Sequence, residues 1–172
     1  MADDRRADLP PGAEAGVLAD RLKERIYATI TMIAVVVGLS FGDVGAFGAV
    51  ATVLTTALGL WLAAFVADQQ AHRTVHRHVA TGRELRRMLY VSSPLLSCAA
   101  GPAVLIGLAV LDVLSLHAAL LAAAGVGVVS LFLWGCLGGL RMGGGALAAV
   151  VAGLADAAIG VAVALVKTAA GH

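Results

Sequence analysis

The stretch Asp68-Gln-Gln-Ala-His72-Arg73-Thr-Val-His76-Arg77-His78-Val-Ala-Thr-Gly82-Arg83-Glu84-Leu-Arg86-Arg87-Met-Leu-Tyr90 separates two long apolar runs. It holds five of the chain's 12 Lys/Arg and three of its five His. The forty or so residues before it, and nearly everything after it, are Ala, Val, Leu and Gly with few charges. Such runs predict helices that live in hydrocarbon, where a helix meets every backbone hydrogen bond internally. The polar stretch is then a hinge outside the membrane, and it fixes the topology.

Composition agrees. The chain is 60% hydrophobic and 13% charged, with a mean hydropathy of +0.92, where a soluble domain carries about 25% charge. Aromatic residues are only 5%, while Gly numbers 21. Close approach of helix backbones through small residues is the packing mode this predicts in lipid. Cys98 and Cys136 sit inside apolar runs without metal-type spacing and read as small core residues.

Outward from the hinge, the fold expected is all-α: a polytopic bundle of five transmembrane helices. Residues 1–20, with Pro10-Pro11-Gly12, read as a disordered tail rather than a removable signal peptide. Residues 21–172 form the bundle, with the hinge at 68–88. The first span, residues 26–41, is short: at 1.5 Å per residue it covers about 24 Å of a core of about 30 Å. Gly42-Asp43-Val44-Gly45 turns the chain into a second span at 46–67. Gly82 is a natural break within the hinge. The third span, 89–111, contains Pro94 and Pro102 and is expected to kink. The connection 112–117 leads to a fourth span at 117–140, and Arg141-Met-Gly-Gly-Gly to a fifth at 144–166. Gly135, Gly139 and Gly143, and Gly38 with Gly42, stand four apart as ridges for close helix contact, or for a dimer contact. Five spans with the N-terminus inside place eleven Lys/Arg on the cytoplasmic side and Lys167 alone outside. By the positive-inside rule this predicts N-terminus in, C-terminus out.

Two groups of side chains suggest chemistry. Asp156 lies near the middle of the fifth span, where a carboxylate costs about 2.5–3.5 kcal/mol and is expected to face the bundle interior or a wet cavity. That makes it a candidate proton or ion carrier, with Thr55 and Thr56 at similar depth as hydrogen-bond partners; the alternative is a buried Asp that fixes helix packing. Asp68, His72 and His76 follow at four-residue steps, which puts them on one helix face. A His pair at i and i+4 with a carboxylate one turn earlier suits a divalent metal. Arg73 and Arg77 oppose such a site and suit an anionic lipid surface instead. His78 points elsewhere on a continuing helix, and His117 reads as loop. Nothing in the sequence resembles a nucleophile–base pair, a phosphate loop or a nucleic-acid module, so neither an enzyme nor a nucleic-acid partner is expected.

This order of features resembles the vacuolar iron transporter family. Leu131-Phe-Leu-Trp-Gly-Cys-Leu-Gly-Gly-Leu-Arg141 and Ala146-Leu-Ala-Ala-Val-Val-Ala-Gly-Leu-Ala-Asp-Ala-Ala-Ile-Gly160 are similar to its last two helices. Tyr27-Ala-Thr-Ile-Thr31-Met resembles its first-span pattern, with Thr31 where that pattern has Asp, and Phe65-Val-Ala-Asp68-Gln resembles its second-span Gly-Glu-Tyr. The resemblance implies a dimer in the bilayer that exchanges ferrous or similar divalent ions, as substrate, for protons. Asp68, His72 and His76 would gather the ion at the cytoplasmic mouth; Thr31, Thr55, Thr56 and Asp156 would line its path. Met32, Met88 and Met142 do not fall on the family's pore positions. A membrane scaffold or partner subunit that keeps the fold without pore chemistry is the alternative. The Ala/Gly/Val/Arg bias points to a high-GC bacterium, hence a plasma-membrane location.

Overall fold

A computed structural model describes residues 13–169. Six helices follow one another: α1 (Ala13–Ser40), α2 (Ala46–His76), α3 (Gly82–Ser97), α4 (Ala100–Val110), α5 (Leu116–Arg141) and α6 (Gly145–Ala169). Four segments are long and apolar enough to cross a membrane: Ala46–His76, Gly82–Val110, Leu116–Arg141 and Gly145–Val166. The molecule is thus a helical multi-pass membrane protein. α1 differs, because Arg21, Lys23, Glu24 and Arg25 interrupt it and only its second half is apolar.

The least apolar of these long helices is nevertheless the innermost. α1 packs on α2, α3, α5 and α6, and Ala28, Met32, Ile33, Ala34 and Val36 are buried along it. One side of α1 joins Met32 and Val36 to Ala49, Val53 and Ala57 of α2, Ile106 of α4 and Leu120 of α5. Another joins Ile33 and Ala34 to Leu131 of α5 and Ala164 of α6. On α2 the buried residues Ala49, Val53 and Ala57 are small and four apart, one narrow stripe on a helix otherwise turned outward.

α5 and α6 form the tightest pair, and glycine is the reason. A Cβ on Gly139 would lie 2.5 Å from Ala149 Cα, and one on Gly135 would lie 2.7 Å from Gly153 Cα. From the other helix, a Cβ on Gly153 would meet Phe132 O at 2.6 Å. The predicted ridge is therefore real at Gly135 and Gly139, and it serves contact within the chain. Gly143 leaves the ridge for the α5–α6 turn, at φ +76°. Gly38 has no atom within 4 Å of a Cβ, and Gly42 meets only ordinary contacts, so that pair is no ridge.

The third span is broken as the prolines predict. Pro94 has no N–H to give the carbonyl of Tyr90, and Ser93 Oγ donates to that oxygen at 2.8 Å instead. Turns at Cys98 and Ala99 divide α3 from α4. Pro102 falls in the first turn of α4, where a missing N–H removes no helical bond.

Two boundaries differ from expectation. Residues 13–20, expected to be part of a disordered tail, are helical: Ala13-Glu14-Ala15 after Pro10-Pro11-Gly12 is a helix start that continues the register of the span. Residues 1–12 lie outside the described residues. His117 is the second residue of α5 rather than loop, since Ser115 caps that helix by accepting from Ala118 N at 3.2 Å.

Candidate functional site

The polar hinge folds back on itself. α2 does run past the apolar core to His76, but it stops at Arg77, whose left-handed φ of 60° closes the helix with a bond from its N–H to Arg73 O. The chain reverses through residues 77–81 and restarts as α3 at Gly82, at φ +55°. Gln69 pins the reversal. Its Oε1 accepts from Ala80 N at 3.2 Å and its Nε2 donates to Ala80 O at 3.5 Å, with Ala80 buried.

The reversal brings His78 against α2. The ring centroids of His72 and His78 are 5.0 Å apart, those of His72 and His76 4.5 Å, and those of His76 and His78 6.0 Å. One ligand atom each of His72, His78 and Glu84 lies within 4.8 Å of the others. The His72 side chain is only 8% exposed, and its Nε2 stands 3.2 Å from Glu84 Oε2. That approach is within ionic reach but misaligned for a hydrogen bond, and Nε2 is buried without a hydrogen-bond partner. His78 Nδ1 lies 3.2 Å from Val79 O. With the proton on Nδ1, that contact is a donated bond, and the lone pair of Nε2 is left for a ligand.

Of the residues expected from sequence to ligate a metal, Asp68, His72 and His76, only His72 belongs to this cluster. The His76 ring lies beside that of His72, and both His76 and Asp68 line the same cleft, but neither supplies one of the three ligand atoms. His78 and Glu84 stand in their stead; spacing on a continuous helix hid both, because a single αL residue after His76 reverses the chain. The signal available in sequence was a third His two residues past the pair, just ahead of a helix-breaking Gly.

A cleft of about 480 Å³ opens beside this cluster between α1, α2 and α3. Its charged lining is Asp20, Glu24, Asp68 and Glu84 against Lys23 and Arg87. Arg87 Nη2 pairs with Asp20 at 4.0 Å and Lys23 with Glu24 at 3.6 Å, which leaves Asp68 and Glu84 as carboxylates without a Lys or Arg partner among the described residues. A hinge that is basic in sequence therefore presents an acidic inner wall, while Arg73, Arg77, Arg83 and Arg86 are exposed and absent from the lining. Such a wall concentrates cations.

The remaining candidates lie elsewhere. Asp156 is half-buried on the α5 face of α6, with Oδ2 2.7 Å from where a Cβ of Gly135 would be. Thr55 turns its hydroxyl onto Ala51 O and Thr52 O of its own helix. Thr56 is half-buried, and Thr31 is buried in the α1 core. A second cleft, of about 310 Å³, lies between α1, the α3–α4 break and α5. Asp156, Thr31, Thr55 and Thr56 line neither cleft.

Comparison with family models, curated proteins and solved structures finds no match.

Proposed function

We propose that the protein is a small membrane transporter that takes up a divalent transition-metal cation at the His72–His78–Glu84 cluster. The observation that carries this reading is the convergence of two imidazoles and a carboxylate, one imidazole nitrogen buried and unbonded, at an acidic cleft. Imidazole suits iron, zinc and similar borderline ions, whereas manganese prefers oxygen ligands, so ferrous ion fits the set better than manganous. α1 supplies a fifth crossing, with the N-terminus and the cleft on the cytoplasmic side and the C-terminus outside, as the distribution of Lys and Arg favours. Its short apolar stretch is compatible with crossing because protein, not lipid, surrounds most of it. A homodimer that exchanges the cation for protons follows from the resemblance to vacuolar iron transporters, and the Ala/Gly/Val/Arg bias favours a bacterial plasma membrane as its location.

One observation favours a second reading. Asp156 is packed against Gly135 and lines no cleft, which suits a residue that fixes the α5–α6 contact in a non-transporting partner subunit. Proteoliposomes loaded with a pH reporter separate the two. Ferrous or manganous uptake coupled to proton movement, lost in His72→Ala and Glu84→Gln, supports the transporter. No flux of any divalent ion by a protein that still binds metal supports the partner subunit.

A further inference from the structure

The second cleft has the opposite chemistry to the first. Its one formal charge is Arg25, and no carboxylate lines it. Among the described residues Arg25 takes part in no ion pair; its guanidinium lies 5.3 Å from the centroid of the Trp134 ring. The hydroxyls in the lining are already committed. Thr29 donates to Arg25 O at 2.8 Å, Ser97 to Pro94 O at 3.1 Å and Ser130 to Val126 O at 2.7 Å. The hydroxyls of the slot therefore ask for no further acceptor, and apart from Arg25 and Trp134 its other side chains are mostly apolar.

The break in the third span makes this slot. α3 packs on α1 and α2, whereas α4 packs on α2 and α5. The turns at Cys98 and Ala99 open a wedge between α3 and α5, with α1 as its floor. Its rim residues Ser97, Gly101 and Val126 are exposed, yet all lie inside spans long and apolar enough to cross a membrane. The mouth thus faces lipid sideways rather than water. We propose that this slot holds an anionic phospholipid, its phosphate on Arg25 and one acyl chain in the wedge. An anion matches the unpaired guanidinium, a chain matches the spent hydroxyls, and the lateral mouth selects a bilayer component over a soluble anion. The same cation makes the slot a poor path for a divalent metal.

The test is lipid retention by the full-length protein in neutral detergent, with phosphatidylglycerol or phosphatidylcholine added and bound lipid counted by native mass spectrometry. The expected preference for phosphatidylglycerol is about fivefold, which corresponds to about 1 kcal/mol per basic residue at an anionic surface. Arg25→Gln brings the two lipids to parity. Arg21→Gln, which removes a guanidinium stacked 4.0 Å from the Tyr90 ring centroid and outside the slot, keeps the preference. Gly101→Leu, at a position with no atom within 4 Å of its Cβ site, plugs the mouth and loses both lipids with helicity unchanged. Parity in the wild type, a preference that survives Arg25→Gln, or equal loss in Arg21→Gln overturns the proposal. Displacement of phosphatidylglycerol by inorganic phosphate alone also overturns it, since the site is then one for a soluble anion.

Discussion

Adding one methyl group at Gly139 tests whether backbone contact holds the α5–α6 pair together. A Cβ there would lie 2.5 Å from Ala149 Cα and 3.1 Å from both Ala149 N and Ala148 O. All three are backbone atoms, so no side chain can swing aside, and the helices must separate by about 1 Å to restore ordinary contact. Overpacking of this kind costs about 1–3 kcal/mol. Contact with three backbone atoms that cannot yield puts this site in the upper half of that range, about 2–3 kcal/mol. Replacing Gly by Ala inside a helix returns roughly 0.5–1 kcal/mol, which leaves Gly139→Ala destabilised by about 1–2.5 kcal/mol. In a chain of this size that corresponds to a melting temperature lower by about 2–10 °C. Gly138 is the internal control: it neighbours Gly139 in the same helix, but its Cβ position has no atom within 4 Å. Gly138→Ala should therefore hold or raise the melting temperature. The assay is thermal unfolding of both variants in one detergent, followed by helicity. Gly139→Ala as stable as wild type would refute the backbone-contact account, because the glycine would then not be needed for close approach.

Three further outcomes follow from the cleft and the broken helix. Binding of Co²⁺, read from its visible d–d absorption, should weaken at least about tenfold in His78→Ala, and far less in Asp68→Asn, which acts only through the field of the cleft. Gln69→Ala removes both bonds to Ala80 and frees the loop that carries His78, so metal affinity should fall by roughly 10–100-fold, as for other residues that hold a ligand in place. The melting temperature should also fall, because the buried Ala80 loses the partner of its N–H and C=O. Ser93→Ala strips the carbonyl of Tyr90 of its substitute donor. It should cost about 1 kcal/mol, and that loss should largely vanish in the Ser93→Ala/Pro94→Ala double variant, where the backbone N–H returns.

Membrane character, the order of the helices and the broken third span were legible because each depends on local pattern: long apolar runs, turn glycines, two prolines with hydroxyls nearby. The α5–α6 contact was half legible. Gly135 and Gly139 showed their spacing, but the spacing alone could not tell them from Gly38 and Gly42, which have no close neighbour. The site was hardest to read. The cluster proposed to hold a metal turns on one residue, Arg77, in a conformation that non-glycine residues seldom adopt, and a helical wheel drawn through it sends His78 to the wrong side. Likewise the acidity of the first cleft comes from bringing Asp20 and Glu24 of α1 beside Asp68 and Glu84, residues that no linear charge count would group.

The central place of α1 carries a consequence for biogenesis. Ile33 and Ala34 pack with Leu131 and Ala164, residues that are synthesised only after α2, α3 and α4. Until then the helix with the most charge can bury only one of its sides, that of Met32 and Val36, against α2 and α4. The α5–α6 hairpin is what covers the other side. A chain cut short after α4 therefore leaves Ile33 and Ala34 without the side chains that bury them. The first helix is complete as a buried element only once α5 and α6 have closed on it.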